Sequence, residues 1–248
     1  MPPGDGKRPN GETDDDPVVL PSSVVTVERF ELFLAWLYQD REVPASLHEA
    51  STLLHLADYL DVPHLLKRMS AYVLALPSDS LPPAERIYLH RRYHLSDKQW
   101  LSDAFSNILE GSFAKLTIAD LALLGIPTVH RLIPIFAKLE RHRTTLAVKP
   151  PPATHETDCK DHDKCEVSWI TFWANRISPL LLSETSPASG LKITRNLSTW
   201  SVSPWAAGMN YSCLWATANG VSALTNIITA DQSFIVTAVS DLVDFHDW

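Results

Sequence analysis

Between Thr26 and Leu139 apolar residues recur every three or four positions, in short runs separated by prolines and by residues that cap helices. A chain written this way buries its apolar surface in one manner, as a succession of short amphipathic helices packed side by side. The first run, Val27, Phe30, Phe33, Leu34 and Leu37, follows Thr26 as a plausible N-cap and should end near Tyr38, because Gln39 to Glu42 is polar and Pro44 disfavours continuation. Ser46 and Glu49 form a capping-box pattern, and Ala50, Leu53, Leu54, Ala57 and Leu60 follow on one face, which predicts a helix over about 47–60.

Asp61 and Pro63 then offer a cap and a first-turn proline for a stripe through Leu65, Leu66, Met69, Tyr72, Val73 and Leu76, so these two helices should pair across a tight turn. After the break at 77–83, Ala84 to Tyr93 should be helical. Ser96 and Gln99 suggest a second capping box ahead of Trp100, Leu101, Ala104, Phe105, Ile108 and Leu109. Thr117 and Asp120 open a short helix closed by Gly125, and Pro127 starts another through Leu132, Phe136 and Leu139, with Lys138, Arg141, His142 and Arg143 suited to its C-terminal end.

The flanks differ in tone. Residues 1–16 are Gly, Pro, Asn and acidic residues with nothing to bury, and read as a solvated acidic tail. Pro17 to Leu20 reads as a strand or an extended lead-in. Residues 147–158, with Pro150, Pro151 and Pro152, read as a Pro-rich linker. The region 159–248 carries Cys159, His162 and Cys165, then Trp169, Phe172, Trp173, Ile177 and Leu181 at helical spacing, and one last stripe through Phe234, Ala238, Val239, Leu242 and Val243. The expected class is mainly α.

Lys and Arg total 21 against 29 Asp and Glu, a net charge of −8 that argues against nucleic acid or an anionic membrane as partner. No secretory leader pattern or spanning apolar run is evident, and three cysteines are too few for a disulfide framework, so an intracellular, reducing location is expected, cytoplasm or nucleus. No G-x-S-x-G, H-E-x-x-H or phosphate-cradling glycine loop occurs, and the chain is expected not to be an enzyme. His90 and His94 share a helix face, but Arg91 and Arg92 beside them make it a poor cation site, so it reads as a solvated basic face.

The order of these elements carries a resemblance. PVVLPSSVVTVERFELFLAWLYQD followed by LHEASTLLHLADYLDVPHLLKRMSAYVLAL resembles the C-terminal half of a BTB/POZ domain, an α+β fold. ERIYLHRRYHLSDKQWLSDAFSNILE and LTIADLALLGIPTVHRLI are similar to the helical extension of a BTB-like family of mushroom-forming fungi, with Tyr93, Trp100, Leu101 and Ala104 matching its aromatic and apolar signal. The resemblance spans roughly residues 17–182, and it extends to the C-x2-H-x2-C segment with its tryptophans. It implies a partial BTB/POZ-like domain with helical extension over 17–146, without the strand pair and helices that open a complete domain. It also implies a non-catalytic adaptor or scaffold whose partners are proteins, either a second copy or a BTB-type partner, and by family analogy a cullin-type ubiquitin ligase. The missing front half would leave the 27–38 helix uncovered, which makes Phe30, Phe33, Trp36 and Tyr38 the candidate partner-binding residues. Trp36 lies off the inward stripe, and is read either as packed locally against the extension helices or as a protein-contact anchor.

Cys159, His162 and Cys165 sit within seven residues, and thiolate with imidazole at close spacing is what tetrahedral zinc selects. A zinc shell needs a fourth ligand. Cys213, the one remaining cysteine, is the first candidate and His155 the second. No cofactor is required by the sequence, and the expected role of any zinc is structural. Two alternatives stand beside the adaptor: a zinc-dependent protein in which this segment is the working site, and a truncated or mispredicted gene product without a selected function.

Overall fold

The computed structural model describes residues 20–21, 25–38, 43–77, 79–184, 186–200, 208–223 and 230–246. Every regular element among them is helical, so the strand expected at 17–20 has no counterpart there: residues 17–19 lie outside the described residues and Leu20 belongs to no element. The chain divides into two compact units, Met1–Leu76 and Pro77–Trp248. The division between these units falls at the Pro77 break.

The first unit contains α1 (Val27–Tyr38), α2 (Leu47–Tyr59) and α3 (Pro63–Ala75). The α2–α3 hairpin forms as its stripes dictate, with Leu53, Leu54, Leu56, Met69 and Val73 fully enclosed. Asp61 is not the cap of α3, whose N-cap is Val62; it adopts a left-handed φ of 53° in the turn, which lets the Val62 amide donate to the Ala57 carbonyl at 2.8 Å. Helix α1 is rotated from its expected setting. Phe33 and Trp36 are buried, whereas Val27 is 71% and Tyr38 82% exposed.

Of the two readings of Trp36, anchor or packed residue, its burial favours packing, and the reason is polar. Its indole N–H donates to Glu49 Oε1 at 2.7 Å, while Glu49 Oε2 accepts the Ala45 amide at 2.7 Å and Ser46 Oγ accepts the Glu49 amide at 3.2 Å. A buried indole needs an acceptor, and the cap of α2 supplies one.

The second unit contains α4 (Pro83–Tyr93), α5 (Lys98–Glu110), a 3-10 turn at Phe113–Lys115, α6 (Ile118–Val148), α7 (His162–Phe172), a π-helical turn at Trp173–Ile177, α8 (Ser178–Leu181), α9 (Gly190–Trp200), α10 (Tyr211–Ala223) and α11 (Ala230–His246). Two apolar clusters fill it. In one, Ile87, Leu101, Phe105, Leu124, Leu132, Phe136, Leu139 and Leu242 join α4, α5, α6 and α11. In the other, Leu146 at the end of α6 meets Trp169, Trp173, Ile177, Leu181, Ile193 and Leu214. Helix α6 spans both.

Among the described residues α6 is the one helix long and apolar enough to cross a membrane by length and composition. Asp120, His130 and Arg131 lie along it. The expected break at Gly125 is present as a local φ/ψ of 75° and 158°, and the expected Thr117/Asp120 capping box forms in both directions. Arg91 donates to the Leu124 and Leu123 carbonyls at 2.6 and 2.9 Å, satisfying acceptors that the break frees. The expected solvated basic face is divided: Arg92 and His94 are exposed, whereas His90 is buried and Arg91 holds the kink. The box expected from Ser96 and Gln99 is replaced by a simple cap: Asp97 and not Ser96 accepts the Trp100 amide at 2.9 Å, and Gln99 Nε2 donates to Asp103 Oδ1 at 2.7 Å.

Two measurements follow. A Cβ at Gly125 would lie 3.0 Å from Arg91 Nη1, and that backbone conformation is open almost only to glycine. Gly125→Ala should lower unfolding free energy by roughly 1–3 kcal/mol in urea titration. His246 on α11 is held down to a pKa of about 4 by burial and then by the positive charge of Arg91, His90 and Arg131. Between about pH 6.5 and pH 4 the unfolded chain takes up a proton that the folded protein refuses. Stability should therefore fall as pH drops through that window, and His246→Gln should flatten this part of the pH dependence in urea-midpoint measurements.

Candidate metal centre

The segment expected as a Pro-rich linker, 147–158, is tied to α7 and α10 at several points. Trp169 Nε1 donates to the Pro151 carbonyl at 2.7 Å, and Trp173 Nε1 to the Leu146 carbonyl at 2.9 Å. The Thr154 amide donates to Thr217 Oγ1 on α10 at 2.8 Å, and Thr217 Oγ1 is also 3.2 Å from the Thr154 carbonyl. Ser212 Oγ donates to the Asp158 carboxylate at 2.7 Å. These contacts lay the chain ahead of α7 across the N-terminal half of α10.

The consequence is convergence of four side chains. His155, Cys159, Cys165 and Cys213 place their ligand atoms within 4.8 Å of one another. Cys165 and Cys213 are buried, while Cys159 is half-buried. Cys159 Sγ lies 3.6 Å from Cys165 Sγ and 3.8 Å from His155 Nδ1. For a tetrahedral ion with metal–sulfur bonds of about 2.3 Å, the edge between two sulfurs is about 3.8 Å, so these separations suit four ligands around one ion.

The surrounding main chain favours negative charge on sulfur. Cys213 Sγ accepts the Glu156 amide at 3.4 Å and Cys165 Sγ the Asn210 amide at 3.3 Å. Cys159 accepts a main-chain hydrogen bond from Asp161. Each thiol thus has an amide donor, the outer-shell arrangement that orients thiolate ligands. With no cation present the Cys159 thiol is pushed up to about 11, first by desolvation and then by the Cys213 and Cys165 thiols, against the Asp161 hydrogen bond. A metal must displace protons to bind here, so its affinity rises with pH.

Three of the four expected ligands, Cys159, Cys165 and Cys213, come together, and His155 takes the place expected for His162. Asp161 caps α7 by accepting the Lys164 amide at 3.0 Å, which makes His162 the first residue of the helix and leaves it exposed. Its ring stacks on that of His155, centroids 4.4 Å apart and 9° from parallel. His155, the second candidate for the fourth ligand in the sequence, lies four residues ahead of Cys159. Of the partner-binding candidates, Phe33 and Trp36 lie inside the first unit, Phe30 is half-buried, and Tyr38 is exposed.

Comparison with protein-family models, with curated proteins and with solved structures finds no match. The chemistry of this centre therefore stands on the chain's own residues.

The two histidines separate experimentally. His155→Ala should abolish stoichiometric metal binding measured by competition with a chromogenic chelator, whereas His162→Ala, which removes only a stacked neighbour, should weaken it by no more than roughly tenfold. The opposite order would make His162 the ligand.

Proposed function

We propose that the protein is a non-catalytic helical interaction module whose second unit is fastened by one structural zinc ion. The observation that carries the zinc assignment is the ligand set: three thiols, each with a main-chain N–H donor, and one imidazole, all within 4.8 Å. Soft sulfur donors with one imidazole select zinc among the abundant divalent ions. Four protein ligands also close a tetrahedral shell, which is the mark of structural sites, whereas catalytic zinc keeps a position for water or substrate. The reading in which the segment is a working site is disfavoured on that ground. Three reduced cysteines committed to a metal fit a reducing compartment.

The adaptor role is supported by the BTB/POZ resemblance over roughly residues 17–182 and by exposed apolar side chains on α1. Val27 and Tyr38 are mostly solvent-exposed and Leu37 is 37% exposed, on the helix for which the resemblance implies a missing cover. A second copy of the chain or a BTB-type protein is the partner this surface suits, and a cullin-type ligase is the family's further implication. Aromatic residues of this kind anchor protein interfaces.

Two experiments test the reading. Purified protein should hold one zinc per chain, and its removal by chelator should disturb Trp169 and Trp173 fluorescence. Loss of an enzymatic turnover with folding intact would instead favour the working-site alternative. In sedimentation velocity the protein should self-associate, and Val27→Glu with Tyr38→Glu should weaken association by about tenfold or more. A wild-type monomer at every concentration would remove self-association from the account.

A further inference from the structure

The four ligands are not equally protected. Cys165 and Cys213 are buried, and Cys159 alone among the sulfurs is open to small solutes. Its sulfur lies 3.6 Å from that of Cys165. The two cysteines are six residues apart, joined by the short cap of α7, so a bond between them closes a small loop without drawing on distant elements. Bringing the sulfurs to the bonded distance of about 2.05 Å needs a shift of about 1.5 Å. Cys213 belongs to a separate element, α10, which the Thr217 hydroxyl ties to Thr154, so a bond to it would join parts of the chain more than fifty residues apart.

We propose that Cys159 and Cys165 are an oxidative modification site, converted by a hydroperoxide into a disulfide that dismantles the metal centre. This inference rests on the zinc reading for its consequence, though not for the pairing of the two sulfurs. The Cys159 thiolate attacks the O–O bond, forming a sulfenic acid and releasing the other oxygen as hydroxide or alkoxide. The Cys165 thiolate then attacks the Cys159 sulfur and expels the sulfenic oxygen as hydroxide. Two thiolates lose two electrons in all, the peroxide gains them, and two protons from solvent complete two waters when the oxidant is hydrogen peroxide. Only His155 and Cys213 remain as ligands, too few to retain zinc.

The structural effect is local and optically visible. Trp169 lies one helical turn beyond Cys165 on α7 and is fully enclosed, with its indole N–H on the Pro151 carbonyl. Release of the ion frees the chain ahead of α7 from α10 at the sulfur end, leaving the Thr154–Thr217 and Asp158–Ser212 contacts. The account thus makes the centre a reversible fastener: reduction with a dithiol and readdition of zinc restores it.

The test uses the full chain, reduced and loaded with zinc, and treated with excess hydrogen peroxide. Zinc release is followed with a chromogenic chelator, and thiols are mapped by differential alkylation and mass spectrometry. Expected are one zinc freed per disulfide, a Cys159–Cys165 linkage, a fall from three alkylatable cysteines to one, Cys213, and a tryptophan fluorescence change reversed by dithiothreitol with zinc. Zinc retained with all three cysteines still alkylatable, or a linkage involving Cys213, would overturn the proposal. If the reduced protein takes up no zinc, the zinc reading fails on its own, and the metal-free chain decides the pairing: a Cys159–Cys165 disulfide sustains the modification site, and its absence ends it. Cys213→Ser should retain the disulfide, while Cys159→Ser should abolish it, which separates pairing from general loss of fold.

Discussion

The C-terminal part of the second unit depends on bringing Cys213 to the Cys159–Cys165 loop. Three sulfurs and an imidazole at these separations are a poor arrangement for bare anions, since like charges at close range repel. The chain nevertheless aims a main-chain N–H at each sulfur, which favours the thiolate form. A divalent cation reconciles the two. The course of residues 149–161, the placement of α10 and the cover over Trp169 all serve that meeting point, because each is held by a hydrogen bond within a few residues of a ligand.

The other cluster of the unit is stabilised differently. Around α5 and α11 the packing is ordinary aliphatic and aromatic burial, and the polar groups present act as fasteners for helix ends. Arg86 donates to the Trp100 carbonyl at 2.6 Å with its guanidinium over the indole, and Arg91 closes the gap that Gly125 opens. Helix α6 carries residues of both clusters, so the two apolar cores of the unit are linked through one helix.

The helices were legible because their stripes and caps are written locally: Ser46 before Glu49, Thr117 before Asp120, Gly125 as a stop. What failed was rotation and partner choice. Leu37 and Trp36 are adjacent, and hydrophobicity alone favours the first as the inward residue. The burial of Trp36 is decided by Glu49, thirteen residues away, whose carboxylate satisfies the indole. Likewise the close spacing of Cys159, His162 and Cys165 points to the metal centre, but the choice of His155 over His162 follows from Asp161 capping α7 and turning the next residue outward. The BTB/POZ likeness names no residue in either outcome, and its sheet has no counterpart among the described residues.

The measurement that bears most directly on this account is X-ray absorption at the zinc edge on the purified, reduced chain. The account predicts a first shell of three sulfurs at about 2.3 Å and one nitrogen at about 2.0–2.1 Å, with no oxygen ligand. A chain that takes up no zinc, or a shell containing water or fewer than three sulfurs, would contradict it.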